Sequence, residues 1–272
     1  MCGHIDVCCA ASRCVFDLPA SICASVPARG DQMTAILQIS DTHIVPDGCL
    51  VSEKLDTAKS LQKLCAHILE IQEHIGPIDA LLVSGDLTDD GTSESYTRFQ
   101  ELMAPLNLPV LVVPGNHDKR EPMRAAFADQ LPQSGYLNWE RRIGEINVIG
   151  LDTLVEGQGY GLLAAESLTF LERALNKESN APVLLTLHHP PFISGIDFMD
   201  NIGLTNQGAL YKLLEGYPGQ LRIVCGHIHT LMISDVAGHT AISAPSPCSS
   251  FAYDLRKNAP IGFYTQQDGC LL

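Results

Sequence analysis

Ala35-Ile36-Leu37-Gln38-Ile39-Ser40 runs straight into Asp41-Thr42-His43, and this junction sets how the rest of the chain is read. A short run dominated by Ile and Leu fits a strand buried on both faces, the kind found in parallel sheets covered by helices. The Asp and His that follow stand at its carboxyl end, the place where open α/β sheets bind their ligands.

The same arrangement recurs along the chain. Ala80–Ser84 leads into Gly85-Asp86, and Val110–Val113 into Pro114-Gly115-Asn116-His117-Asp118. Val183–Leu187 leads into His188-His189-Pro190-Pro191, and Arg222–Cys225 into Gly226-His227-Ile228-His229; Ile146–Leu151 is a further apolar run. Between these runs apolar residues recur at helical spacing, as in Leu61, Leu64, Cys65, Ile68, Ile71 and Ile75, closed by Gly76-Pro77. Tyr96, Phe99, Leu102 and Met103 repeat the pattern, as do Leu168, Leu171 and Leu175, then Leu210, Leu213 and Leu214. Strands alternating with helices predict an α/β fold with a largely parallel sheet. Beyond Gly226 the pattern changes. Thr240–Ala244 and Gly262–Gln266 read as strands with no helix between them, which predicts a second, more antiparallel sheet. The Ser- and Pro-rich connection Pro245–Pro260 is of a length that suits a lid or a subunit contact.

Neither a repeat nor a linker divides the region from Met33 onward, so residues 33–272 are expected to form a single domain. Residues 1–32 hold five of the ten cysteines (Cys2, Cys8, Cys9, Cys14, Cys23) without a C-x2-C pair, which weakens a metal or redox reading. They lack the basic start and continuous apolar run of a secretory signal. They are expected to be a poorly ordered extension, with Met33 as an alternative start that N-terminal sequencing of native protein would reveal. The remaining cysteines (Cys49, Cys65, Cys225, Cys248, Cys270) are scattered and expected to be reduced, as suits a cytoplasmic protein. No run of about 18 apolar residues predicts a membrane span. With 17 basic against 31 acidic residues the net charge is −14, which argues against nucleic-acid polymers and anionic membranes. A small phosphorylated substrate remains compatible if a metal ion supplies local positive charge.

Each polar block has a plain alternative. Asp41-Thr42-His43 also suits an Asx turn, Gly85-Asp86 a tight turn, and His188-His189 one core and one solvated histidine. His227-x-His229 is stronger, because alternate residues of extended chain share a face. Five strand ends delivering Asp41, His43, Asp86, Asn116, His188, His227 and His229 in one order argue for a common site. Carboxylate, imidazole and amide donors without thiolate suit Fe, Mn, Zn or Co. Seven ligands exceed one tetrahedral ion but suit two ions sharing a carboxylate, with a water or hydroxide bridging them. Such a pair, about 3.5–4 Å apart, serves in-line displacement at phosphorus.

Asp-x-His, Gly-Asp, Gly-Asn-His-Asp, His-x-Pro and Gly-His-x-His, in this order between Asp41 and His229, resemble the calcineurin-like metallophosphoesterases. Ile39-Ser40-Asp41-Thr42-His43, His188-His189-Pro190-Pro191 and Met199-Asp200 resemble the bacterial class III cyclic nucleotide phosphodiesterases and, equally, the related glycerophosphodiesterases. The resemblance implies an αββα sandwich of two mixed sheets flanked by helices, and two divalent ions. One ion would take Asp41, His43, Asp86 and His229; the other Asp86, Asn116, His188 and His227, with Asp86 bridging. His189 would be a neighbour rather than a ligand. His117 would hydrogen-bond the phosphate and protonate the leaving oxygen, with Asp118 orienting its ring; Asn116 and His229 would also meet substrate. The leader departs from the family pattern, which begins a few residues before the first strand.

The expected activity is hydrolysis of a small phosphodiester by a metal-bridging hydroxide, cyclic AMP first among substrates. A glycerophosphodiesterase, a phosphomonoesterase and a catalytically silent metal-binding scaffold are the alternatives. Substrate contacts are expected from Val45–Glu53, Gly157–Gly161, Phe192–Thr205 and Pro245–Pro260; Tyr160, Phe192 or Phe251 could stack on a base, although a packing role is the commoner one for any single aromatic. Homo-oligomerisation through Pro245–Pro260 is left open.

Overall fold

The six apolar runs all become strands, and they divide between two sheets rather than filling one. The structure, a computed structural model, describes residues 7–9, 33–177, 181–256, 259–265 and 269–272. The first sheet has the order β1 (Val7–Cys9), β13 (Gly269–Leu271), β2 (Ile36–Ile39), β3 (Ala80–Val83) and β4 (Val110–Val112). Its β2, β3 and β4 are parallel, while β13 runs antiparallel to β2 and β1 antiparallel to β13. The second has the order β5 (Trp139–Ile143), β6 (Ile146–Gly150), β7 (Val183–Thr186), β8 (Leu221–Cys225), β10 (His239–Ser243) and β9 (Met232–Val236). There β6, β7, β8 and β10 are parallel, with β5 and β9 as antiparallel edges.

Alternation along the strands docks these sheets. In β7 and β8, Val183, Leu185, Leu221, Ile223 and Cys225 pack with α4 (Ala165–Lys177) and α6 (Gln207–Leu214). The intervening Leu184 and Val224 join the core of the first sheet, which α1 (Thr57–Ile75) and α2 (Ser93–Met103) cover from outside. The result is the expected αββα sandwich. At about 0.8 kcal/mol per buried CH₂, these interfaces carry most of the folding free energy. Gln38, alone in its polarity within β2, crosses between the sheets: its amide donates to Ser84 Oγ (2.8 Å) and to the Cys225 carbonyl (3.0 Å). The helix ends follow local chemistry. Asp56 accepts from Lys59 N at the start of α1, and Gly76 ends it with φ 87°.

Among the described residues, the expected second, more antiparallel sheet near the C-terminus is reduced to a two-stranded ribbon. Thr240–Ala244 gives β10, which lies parallel to β8 in the larger sheet, and the described part of Gly262–Gln266 gives β12 (Phe263–Tyr264), antiparallel to β11 (Ser250–Phe251). The missed partner is β9, an edge strand whose alternate residues are exposed, joined to β10 by Ala237-Gly238 at φ 56° and 84°. Two successive left-handed residues are what a tight hairpin needs. Two short helices, α3 (Arg120–Ala126) and α5 (Asp197–Asn201), also escape the periodicity. The expectation of disorder for residues 1–32 lies outside the described residues, apart from β1. Cys49, Cys65, Cys225 and Cys248 are free thiols, and no described helix is long and apolar enough to cross a membrane.

Candidate metal centre

Polar side chains gather where the carboxyl ends of β2, β3 and β4 meet those of β7 and β8. The first sheet contributes Asp41, His43, Asp86, Asn116 and His117; the second contributes His188, His227 and His229. The turns are tight. Asp41, His43, Asp86, His227 and His229 all have φ between 44° and 70°, five of the nine left-handed non-glycine residues among those described. Such backbone costs about 1–3 kcal/mol per residue and persists where the surroundings hold it, commonly at a functional site. Here the surroundings are specific: Asp41 N donates to Gly85 O and His43 N to Asp86 O (3.0 Å each), while His227 N donates to both Asp41 oxygens (3.0 Å). Gly115 is required by close approach, because a Cβ there would stand 2.2 Å from Asp86 Oδ1.

Each imidazole is oriented by a hydrogen bond from its outward nitrogen. His43 Nδ1 donates to Asp89 Oδ1 (3.0 Å), His188 Nδ1 to Ser84 O (2.8 Å), His229 Nδ1 to Ser249 O (3.2 Å) and His227 Nε2 to Ile202 O (3.1 Å). Carbonyl and carboxylate oxygens only accept, so the opposite ring nitrogens present lone pairs inward. As a result, acceptors face acceptors. His43 Nε2 and His229 Nε2 are 3.1 Å apart, and so are His188 Nε2 and Asn116 Oδ1. Asp86 lies between the two pairs, Oδ2 being 3.7 Å from His43 Nε2 and 3.3 Å from His188 Nε2. Asp41 Oδ1 is 3.4 Å from His229 Nε2 and 3.9 Å from His188 Nε2. Facing lone pairs in a buried cluster repel unless a cation or proton lies between them. The residues therefore fit divalent metal, and the groupings Asp41/His43/His229 and Asp41/Asp86/His188 each bring donor atoms within 4.8 Å.

Without metal, protons fill that role. Burial alone would lower the His188 pKa, but the charge of Asp86 raises it to about 9. Burial would raise Asp41, yet His229 and His188 hold it at about 2, and His188 likewise keeps Asp86 well below the ordinary carboxylate range.

All seven expected ligands are in the cluster. His189 is buried beside them with both ring nitrogens engaged: Nδ1 meets Thr153 Oγ1 (2.8 Å) and Nε2 donates to Gly159 O (3.1 Å). His117 sits at the exposed rim with its ring edge-on to His43, centroids 4.7 Å apart. The expectation for Asp118 needs correction. Its carboxylate accepts from Leu87 N (3.2 Å), Thr88 N (3.3 Å), Gly115 N (2.9 Å) and Tyr96 OH (2.8 Å), so it ties loops together rather than holding the His117 ring. The group at His117 Nδ1 is Asp89, through its carbonyl (3.0 Å) and Oδ1 (3.2 Å). Asp118 follows His117 in sequence, but the turn aims the two side chains apart. Phe192 takes the packing role, buried in the core of the second sheet, and not that of a base-stacking surface.

Sequence reasoning missed Asp89, which serves His43 and His117 together, and the Arg120–Asp152 pair. Arg120 Nε donates to Asp152 Oδ2 (2.7 Å) and a terminal nitrogen to Oδ1 (3.0 Å), fastening the segment after His117 to the end of β6.

A family model described as calcineurin-like phosphoesterase matches residues 34–231. The chain belongs to this family. Within it, the chain is 36% identical over 231 residues to a probable glycerophosphodiester phosphodiesterase, GpdQ, of Arcobacter nitrofigilis, covering 84% of each protein. It is 35% identical over 229 residues to the 3',5'-cyclic adenosine monophosphate phosphodiesterase CpdA of Pseudomonas aeruginosa, covering 84% of this chain and 81% of the other. Among solved structures, a dimetal phosphatase from Danio rerio superposes with a TM-score of 0.63 at 14% identity, covering 80% of this chain and 88% of that one. That likeness concerns the fold shared across calcineurin-like phosphoesterases.

Proposed function

We propose that the protein is a dinuclear phosphodiesterase of small diesters, with cyclic AMP as the first candidate substrate and glycerophosphodiesters as the second. The observation that carries this reading is the two pairs of facing acceptors with Asp86 between them. Asp41, His43, Asp86 and His229 would hold one ion; Asp86, Asn116, His188 and His227 the other. Their O and N donors suit Fe, Mn, Zn or Co. When bound, such a pair acidifies water and offsets charge on phosphoryl oxygens.

The chain's own groups do the rest. His117, at the open rim, is placed to donate a hydrogen bond to a phosphate oxygen and a proton to the leaving oxygen. In the metal-free protein burial would lower its pKa, but the hydrogen bond to Asp89 and the charge of Asp86 raise it to about 10. Asp89 holds that ring in place. The net charge of −14 disfavours polyanionic substrates and favours small ones. A cytoplasmic location goes with cyclic nucleotide as substrate and with the free thiols of Cys49, Cys65, Cys225 and Cys248.

The experiment is hydrolysis of cyclic AMP, 2',3'-cyclic nucleotides and glycerophosphoethanolamine with Mn²⁺ and with chelator, alongside metal analysis. Two metal equivalents per chain and chelator-sensitive turnover of at least one diester are expected. Tight binding of two ions without turnover of any diester or monoester would leave a silent scaffold; preference for monoesters would overturn the diester assignment.

A further inference from the structure

A groove of about 230 Å³ lies between α5 and the β11–β12 ribbon, lined among others by Ile196, Asp197, Phe198, Asn201, Phe251 and Asp254. Both walls are fastened to the metal centre. Ile202, just after α5, accepts the hydrogen bond of His227, and Ser249, just before β11, accepts that of His229. The Phe251 ring lies 5.0 Å from that of His229, centroid to centroid. A molecule whose phosphate met the cluster would thus have its organic arm beside this groove.

The lining says what that arm is. Phe198 is 38% exposed, so a face of its ring is open to a ligand, and its centroid is 6.3 Å from that of Phe251 at a tilt of 49°. The two rings form an open angle, so a flat heterocycle stacks on one and meets the other edge-on. Among the described residues no Lys or Arg lines the groove. The Asp254 carboxylate is engaged by Arg256 Nε (2.9 Å and 3.0 Å), which leaves Asp197 and Asn201 as the polar side chains of the described wall. A carboxylate and an amide call for hydrogen-bond donors and repel a second phosphate. The cavity is more than a two-carbon ammonium headgroup would fill.

We infer that this groove is the subsite for the substrate's organic arm and takes a nucleobase with an exocyclic amino group, stacked on Phe198 and Phe251 with the amino group toward Asp197 and Asn201. The inference rests on the phosphodiesterase reading above and adds a base specificity to it: adenine over uracil.

The test compares kcat/KM for cyclic AMP, cyclic UMP, glycerophosphoglycerol and glycerophosphoethanolamine in the metal-loaded wild type and in Phe198→Ala, Asn201→Ala and Asp197→Asn. Loss of one stacking ring is expected to lower the cyclic AMP to glycerophosphoglycerol ratio about tenfold, chiefly through KM. Asn201→Ala and Asp197→Asn should erode the preference for cyclic AMP over cyclic UMP. Ratios equal to wild type in all three variants, with folding and metal content retained, overturn the proposal. So does a loss confined to glycerophosphoethanolamine, which would make the groove an ammonium site. Equilibrium dialysis of radiolabelled adenosine separates this from failure of the enzymatic reading. Should the wild type hydrolyse none of the diesters, adenosine binding that Phe198→Ala weakens still supports the groove, and binding that the variant leaves equal refutes it.

Discussion

Gly115→Ala tests the site through a residue that would touch no ion. A Cβ at position 115 would lie 2.2 Å from Asp86 Oδ1 and 2.4 Å from the Asp86 backbone nitrogen, whereas ordinary contact begins near 3.4 Å. The carboxylate could rotate aside, but the backbone nitrogen could not, so the two loops must separate by about 1 Å. That shift falls on the one carboxylate central to both acceptor pairs and on Gly115 N, which donates to Asp118 Oδ2 at 2.9 Å. A misplacement of about 1 Å at a reacting centre costs on the order of 100-fold in rate, and disturbed ligand support about 10–100-fold in metal affinity. Gly115→Ala should therefore show reduced metal content after dialysis and about 100-fold slower hydrolysis of bis(4-nitrophenyl) phosphate with Mn²⁺ present. Gly208→Ala, in α6 with nothing within 4 Å of the new methyl, is the control and should lose neither. Wild-type metal content and rate in Gly115→Ala would refute the close-packed geometry assigned to Asp86.

Asp86→Ala should lose metal from both positions and fall in rate by more than about 100-fold, beyond the loss of an outer partner, as metal analysis and the same assay would show. His117→Ala should keep its metal and lose about 10²–10⁴-fold in turnover; metal loss in that variant would recast His117 as a ligand. Asp89→Asn should weaken metal binding about 10–100-fold by releasing the His43 ring, read by chelator competition. Asp118→Asn should act on stability, since one amide hydrogen pair would face the Gly115, Leu87 and Thr88 donors: a loss of about 1–3 kcal/mol, or several degrees in Tm by scanning calorimetry. Unchanged Tm with lost turnover would restore Asp118 to a catalytic role.

The seven candidate ligands were legible because each is a polar residue terminating an apolar run, a pattern set by the chemistry of strands buried on both faces. Their outward partners were not, because carbonyl oxygens of Ile202, Ser249 and Ser84 carry no side-chain signature; only tertiary packing puts them beside an imidazole. Asp89 stood three residues after Asp86 with nothing to distinguish it from Asp90, and Asp118 was misread because adjacency in sequence is not adjacency across a turn. The core helices announced themselves by period, while α3 and α5 span too few residues for a period to show. The division into two sheets was implied by family resemblance alone; periodicity could not tell six parallel strands in one sheet from strands shared between two. Edge strand β9, half exposed, fell below the hydrophobic threshold that made its neighbours visible.

The first sheet brings Asp41, His43, Asp86 and Asn116, and the second His188, His227 and His229, so neither half of the chain owns a complete coordination set. Any cation held by both acts as a rivet through the seam between them. Capture of metal at full strength must therefore wait until the two halves have docked, and a bound ion would in turn resist their sliding or parting. Fragments ending before β7 or beginning after β4 would each retain only a weak chelating remnant.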